Sequence, residues 1–188
     1  MPLRVTFDLE DKDLKYFRTI MRKAQASAER APESEVIAQA ETMIEEVKAA
    51  GVPNFVAQRI DKLSTLIDML RDAEWSLPAE ERNNVLTALA YFTDPEDLIP
   101  DNVPVLGYID DAIMIELVVK ELKPEIDAFV DFCRYRTEEA LRNRNPNVTY
   151  EQYLDRKRRE LHQRMRRRRR RTRNRTGAGG GRTRLRLF

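Results

Sequence analysis

The sequence predicts an all-α protein: a bundle of five or six helices with a Pro/Asp-rich ordered turn, plus a basic C-terminal helix and a disordered end. Three observations lead there. Apolar residues recur three and four positions apart in stretch after stretch, which is the spacing of one helical face. Turn and cap residues fall mostly between those stretches, and glycine is scarce at 6 residues in 188. Charge is divided along the chain. Residues 1–140 hold 16 Lys+Arg against 29 Asp+Glu, a balance of −13, whereas residues 141–188 hold 18 against 3, a balance of +15. The overall +2 conceals two halves that read as serving different electrostatic partners.

Leu3, Val5 and Phe7 alternate with Arg4 and Thr6, the pattern of a short strand or an extended arm. Asp8 or Asp11 then caps a helix whose apolar face is Leu14, Phe17, Ile20, Met21 and Ala24. Pro32 opens the next, with Val36, Ile37, Ala40, Met43, Ile44 and Val47 at helical spacing and Gly51 and Pro53 as stop chemistry. Phe55, Val56, Ile60, Leu63, Ile67 and Leu70 mark a third helix. Ser76 ahead of Leu77-Pro78 and Glu80-Glu81 reads as the capped start of a fourth, burying Val85, Leu86, Leu89, Ala90 and Phe92.

The segment from Thr93 to Gly107 breaks the helical pattern and predicts an ordered turn or loop. A helix restarts near Tyr108 and runs through Val119, and Pro124 marks a kink or a fresh first turn. Ile126, Phe129, Val130, Cys133, Ala140 and Leu141 form another apolar stripe. Thr149 with Gln152 resembles a capping box opening a final helix on Tyr150, Tyr153, Leu154, Leu161 and Met165, interrupted at Lys157 and Arg158, so packing is expected to weaken along it. The expected division is residues 1–142 as an acidic bundle, 143–149 as linker, 150–175 as an Arg-rich helix, and 176–188 as a disordered basic tail with its Gly-Ala-Gly-Gly-Gly run.

A single cysteine, Cys133, excludes an internal disulfide framework and fits a reducing compartment. The opening Met1-Pro2-Leu3-Arg4-Val5 carries no apolar run of the signal-peptide kind. The most apolar window, Val103–Val119, contains Asp110, Asp111 and Glu116. Each acid costs about 2.5–3.5 kcal/mol at a helix centre in a bilayer, which argues against a lone transmembrane span. The expected location is therefore cytoplasmic.

The basic segment carries the clearest functional signal. Arg156, Lys157, Arg158, Arg159 and Arg164 lead into the unbroken run Arg166, Arg167, Arg168, Arg169, Arg170 and Arg171, followed by Arg173 and Arg175. Successive helical residues step by about 100°, so six adjacent arginines cover every face. That is poor geometry for a helix sinking an apolar side into a membrane, and it suits a polyanion such as RNA or DNA whose phosphates guanidinium forks grip. No aromatic interrupts the run for base stacking, so sequence-specific reading is not expected. An anionic membrane surface, a merely solvated tail and an in-cis role, the tail folding back on the acidic half, are the alternatives.

Residues 91–111 read Tyr-Phe-Thr-Asp-Pro-Glu-Asp-Leu-Ile-Pro-Asp-Asn-Val-Pro-Val-Leu-Gly-Tyr-Ile-Asp-Asp. This resembles the bacterial YkvA-like family, a small domain of unknown function, at Tyr91, Phe92, Pro95, Asp97, Ile99, Pro100, Asp101, Pro104, Leu106, Gly107, Asp110 and Asp111, within a stretch of roughly residues 80–120. The family has no settled activity. The resemblance implies membrane association for some members, with an apolar residue directly after the Ile-Pro-Asp; here that residue is Asn102.

Asp94, Glu96, Asp97, Asp101, Asp110 and Asp111 are the one concentration of candidate catalytic or metal-binding groups, and a proline-stiffened loop could converge several on Mg²⁺ or Ca²⁺. The weaker metal candidates are thus Asp97, Asp101, Asp110 and Asp111, with turn capping and helix-dipole roles as the bland reading. No nucleophile–base pair is visible. His162, the one histidine, sits among arginines and is expected to be solvated, while Cys133 falls on an apolar stripe and reads as core. No glycine loop cradles phosphate ahead of a helix. No cofactor and no small-molecule substrate are expected. The expectation is a non-enzymatic accessory protein, binding nucleic acid through its arginines and a protein partner through its bundle. A peripheral membrane protein using residues 103–119 and the tail is the first alternative, and a metal-dependent hydrolase using the acidic loop the second.

Overall fold

The computed structural model describes residues 6–9, 31–50, 54–92, 109–141, 149–176 and 183–186, with Lys12, Lys15, Thr19 and Val52. Among them stand two short strands, β1 (Thr6–Leu9) and β2 (Thr183–Arg186), and six helices: α1 (Glu33–Ala49), α2 (Asn54–Arg71), α3 (Ala79–Tyr91), α4 (Ile109–Glu121), α5 (Lys123–Leu141) and α6 (Tyr150–Thr176). The protein is an all-α bundle, as its periodicity predicts. Of the first expected helix, Lys12, Lys15 and Thr19 are helical, and its other residues, the expected apolar face among them, lie outside the described residues. So does the Pro/Asp-rich turn expected between Thr93 and Gly107.

α1 starts where Pro32 forces it to. Pro32 is extended at φ −59° and ψ 142°, and its carbonyl accepts from the amides of Glu35 (2.9 Å) and Val36 (3.2 Å). Glu33 and Glu35 occupy the first turn and Lys48 the last, each sign matched to the helix dipole. Its buried face is Val36, Ile37, Ala40 and Ile44. α2 is central, packing against α1, α3, α4 and α5. That position explains why Leu66 and Met69 are buried beside the expected Val56, Ile60, Leu63, Ile67 and Leu70: neighbours on several sides need a wider apolar face than one stripe.

The turn after α2 seats the aromatic centre. Asp72 Oδ1 accepts from the Trp75 amide at 2.9 Å, and the Ser76 amide donates to the Asp72 carbonyl at 3.0 Å. Ser76 takes φ 47°, the left-handed region, so it makes the turn and is not the cap that its sequence position suggests. Pro78 precedes α3 instead, with no side-chain cap, and its carbonyl accepts from the Arg82 amide at 2.8 Å. The turn sets Trp75, fully buried, against Phe132 (ring centroids 5.2 Å) and Phe129 (5.9 Å) of α5.

α4 buries Ala112, Ile113, Met114 and Ile115 in succession, so it is enclosed on more than one side. At its end the Leu122 carbonyl accepts from the Glu125 and Ile126 amides, both at 3.0 Å, and Pro124 sits in the fresh first turn of α5, where its missing N–H costs nothing. The α5 stripe is narrower than expected. Ala128, Phe129 and Phe132 are buried, but Val130 is half exposed and Ala140 is exposed.

α6 begins with the expected capping box. The Thr149 amide donates to Gln152 Oε1 at 3.0 Å, and the Gln152 amide donates to Thr149 Oγ1 at 3.3 Å. The helix does not stand apart from the bundle. Leu154, Leu161 and Met165 join the same core as Trp75, Phe129 and Phe132, and α5 is its most extensive neighbour. The gap at Lys157 and Arg158 is bridged: Lys157 Nζ lies 5.4 Å from the Tyr135 ring, and Arg158 donates to the Glu74 carbonyl at 2.8 Å.

The chain end, expected without structure, supplies β2. It pairs antiparallel with β1 in the register Thr6↔Arg186, Phe7↔Leu185, Asp8↔Arg184 and Leu9↔Thr183. The glycine run masks a four-residue alternation, Thr-Arg-Leu-Arg, which sets Leu185 opposite Phe7 and Arg184 opposite Asp8.

Because Leu161 is fully buried between α6 and the aromatic centre, Leu161→Ala should lower unfolding stability by about 2–5 kcal/mol in a denaturant titration. A loss of less than about 1 kcal/mol would mean that α6 does not belong to the core.

A candidate polyanion-binding face on the arginine helix

The fold divides the arginines of α6 between two roles. On the side carrying Leu154, Leu161 and Met165, they meet acids of the bundle. Arg164 pairs with Asp131, Arg166 with Glu81 (3.1 Å), Arg168 with Asp127 (3.4 Å) and Arg169 with Glu125. Arg158 and Arg159 pair with Asp155, and Lys157 with Glu160 at 3.2 Å, all within the helix. Arg156, Arg167, Arg170 and Arg171 are exposed and make no ion pair among the described residues. Arg156 and Arg167 are about three turns apart, and Arg170 and Arg171 follow one turn on, so the four share the side turned away from the core. The backbones of Arg173 and Arg175 continue the helix, and their side chains lie outside the described residues.

The acids that meet the inner arginines are the residues that sequence reading missed. Glu81 and Glu125 are buried, with side chains 2% and 0% exposed. Both sit in a first turn, where an acid looks like an ordinary dipole partner. The overlooked signal is helical phase. Glu81 precedes Val85 and Ala88 by four and seven residues, and Glu125 precedes Phe129 and Phe132 likewise, which places each acid on its helix's buried stripe. Arg158 and Arg169 extend the α6 stripe in the same way, four residues after Leu154 and Met165. In each glutamate the second oxygen, Oε2, has no hydrogen-bond partner among the described residues.

Burial pushes the Glu125 carboxyl up from its usual range, outweighing the Arg169 charge and hydrogen bond that hold it down, and the neighbouring Glu81 adds to the rise. Asp131 goes the other way: burial raises it, but hydrogen bonds from Arg164 and Arg134 outweigh that and leave its carboxyl low. His162 is not solvated, contrary to expectation. It packs edge-on against Trp75 at 4.4 Å and hydrogen-bonds to the Trp75 backbone, while its buried Nε2 has no hydrogen-bond partner among the described residues. Burial first, and then the charges of Arg158 and Arg166, lower its pKa from 6.5 to about 4.

The family-motif positions are mostly beyond the description. Asp97, Pro100, Asp101, Pro104 and Gly107 lie outside the described residues, and Asp110 and Asp111 are described only as backbone in the first turn of α4. Among the described residues no group of three His, Cys, Asp or Glu side chains could hold a metal ion. At Glu116, near the end of this stretch, Lys62 of α2 pairs at 3.1 Å and the buried Arg59 at 3.5 Å. Cys133 is half-buried, and burial raises its thiol pKa, which leaves it a weak nucleophile.

The helical bundle and the motif define a class, and comparison with known proteins gives the family. The profile described as "Protein of unknown function (DUF1232)" matches residues 85–117. The chain is also 34% identical over 76 residues to the "Uncharacterized membrane protein YkvA" of Bacillus subtilis (strain 168), covering 37% of this chain and 70% of that protein. The chain belongs to this YkvA-like family, whose function is unknown. No solved structure matches. The relative's name corrects the expectation of a cytoplasmic protein. That expectation rests on a single cysteine and on the lack of a signal-peptide run and of a spanning segment, none of which speaks to attachment at a membrane surface. No helix among the described residues is long and apolar enough to cross a membrane.

His162 yields a pH prediction. Its folded pKa lies below the unfolded value, so its neutral form stabilises the fold above about pH 6.5, and that contribution is lost as pH falls toward 4. Unfolding near pH 5 should take up about one proton more in the wild type than in His162→Gln. Midpoints that drop equally from pH 7 to 5 in both proteins would contradict this placement of the imidazole.

Proposed function

We propose that this chain is a non-enzymatic accessory protein that attaches to an anionic membrane surface through the outer face of α6. One observation carries the reading: among the described residues Arg156, Arg167, Arg170 and Arg171 stay exposed and make no ion pair, on one side of a helix whose other side is packed into the core. The lack of an apolar side free to sink into lipid is no obstacle here, because the apolar side of α6 is packed into the bundle and the attachment is electrostatic. Each arginine near an anionic surface contributes about 1 kcal/mol, so four supply a reversible contact of about 4 kcal/mol. The membrane label of the YkvA relative supports this choice of surface. The bundle then serves as the platform for a protein partner.

Nucleic acid is the second reading, and it has its own support. The run continues past Arg171 into Arg173 and Arg175, and guanidinium groups spread over several turns suit phosphates that follow a strand. Binding would be sequence-independent, since no aromatic lies within the run to stack on bases.

Flotation with vesicles separates the two readings. Full-length protein should float with vesicles containing phosphatidylserine and remain behind with pure phosphatidylcholine. Arg167→Gln/Arg170→Gln/Arg171→Gln should weaken the association on the order of a hundredfold. Equal flotation on both vesicles would sink the membrane reading. RNA affinity that falls steeply between about 50 mM and 200 mM salt, with no flotation, would select the second.

A further inference from the structure

Beyond Met165, α6 contains no apolar residue: six arginines are followed by Thr172, Arg173, Asn174, Arg175 and Thr176. Leu154, Leu161 and Met165 hold the first part of the helix by burial. What holds the next part, among the described residues, is ionic: Arg166 to Glu81, Arg168 to Asp127 and Arg169 to Glu125. The two kinds of anchor answer differently to a competing anion. Apolar burial is indifferent to it, whereas an ion pair can exchange its acid for a phosphate.

We propose that Glu81, Asp127 and Glu125 form a latch on the Arg166–Arg171 segment, competing in cis with the phosphate surface for Arg166, Arg168 and Arg169. The choice of surface rests on the reading above; the latch itself is a property of the bundle. In the latched state only the outer arginines are available. Release adds the three inner ones, and Met165 marks where the released segment begins.

Release is costly because of where the acids lie. Taking Arg169 away leaves the Glu125 carboxylate buried and unpaired, a state that proteins avoid by protonation. Burial and Glu81 of α3 already favour the protonated acid, and Arg169 of α6, together with a backbone hydrogen bond, opposes it. Removing Arg169 removes the main opposition, so release is coupled to proton uptake at Glu125. Around this centre, Asp127 also pairs with Lys123 at 2.9 Å, and His162 and Arg166 face Glu81. Lowering the pH therefore shifts the segment toward release, and the anionic surface does the same by holding the arginines.

The test uses the full chain with Glu125→Gln and, separately, Asp127→Asn, a position one-third exposed where the amide cannot unfold the core. Without any ligand, amide hydrogen exchange over residues 166–171 should quicken at least about fivefold in Glu125→Gln, with residues 154–161 unchanged. Partition onto phosphatidylserine vesicles should strengthen by at least about the same factor. Exchange at the wild-type rate in both variants overturns the latch, whatever the vesicles do. Faster exchange with unchanged partition, where the wild type binds, overturns the competition. Should the wild type fail to bind vesicles, the membrane reading fails by itself. The same comparison with polyuridylate RNA then decides the latch: tighter binding by the variants supports it and equal binding overturns it.

Discussion

The protein depends on carboxylates placed where water does not reach. A helix bearing a run of six arginines can lie against an apolar core only if the guanidiniums on its inner side find acids, and Glu81 and Glu125 are those acids. Each is a liability alone, since an unpaired buried charge costs several kcal/mol, and each arginine would be one as well. Together they let α6 continue along the bundle after its apolar residues have run out. The aromatic centre supplies the other half of the seat: Trp75, positioned by the Asp72 turn, meets Phe132 of α5 on one side and His162 of α6 on another.

This pairing changes the meaning of the charge asymmetry. A domain at −13 beside a tail at +15 looks like two electrostatic programmes aimed at different partners. Among the described residues, part of each is aimed at the other, through the pairs Arg164–Asp131, Arg166–Glu81, Arg168–Asp127 and Arg169–Glu125. Six of the basic residues from Arg156 to Arg171 have partners on the bundle: Arg158, Arg164, Arg166, Arg168 and Arg169 through acids or a carbonyl, and Lys157 through the Tyr135 ring. What is left for an external anion is smaller, more localised and one-sided, and it suits a surface better than an enclosing groove.

Much of the bundle was legible because helices announce themselves by period and punctuation. The α1, α2 and α3 stripes, the fresh turn at Pro124 and the Thr149–Gln152 capping box all follow from local chemistry that the tertiary fold did not override. Where the structure differs, the common cause is that polar and charged residues follow helical phase as well as residue type. Residue type alone puts His162 in solvent, makes Glu81 part of a helix start and gives Glu125 no role, whereas helical phase turns all three inward. Val130 and Ala140 are the converse, apolar residues that the narrower face of α5 leaves outside. At the candidate site the run of arginines was plain from composition, but its division into inner and outer members needed the packing of α6 against α5. The location failed for another reason: the lack of a spanning helix excludes only one way of meeting a membrane.

The capping box at Thr149 and Gln152 has a consequence larger than the two hydrogen bonds it makes. It fixes where α6 begins, and so fixes the angular setting of every arginine downstream. One residue inserted between the cap and Met165 would turn the whole run by about 100°, handing inner arginines to solvent and outer ones to the glutamates. Four inserted residues would nearly restore the setting while sliding the run along the axis by about 6 Å. The spacing from cap to run is therefore a clockwork constraint, in which the count of residues matters as much as their kind.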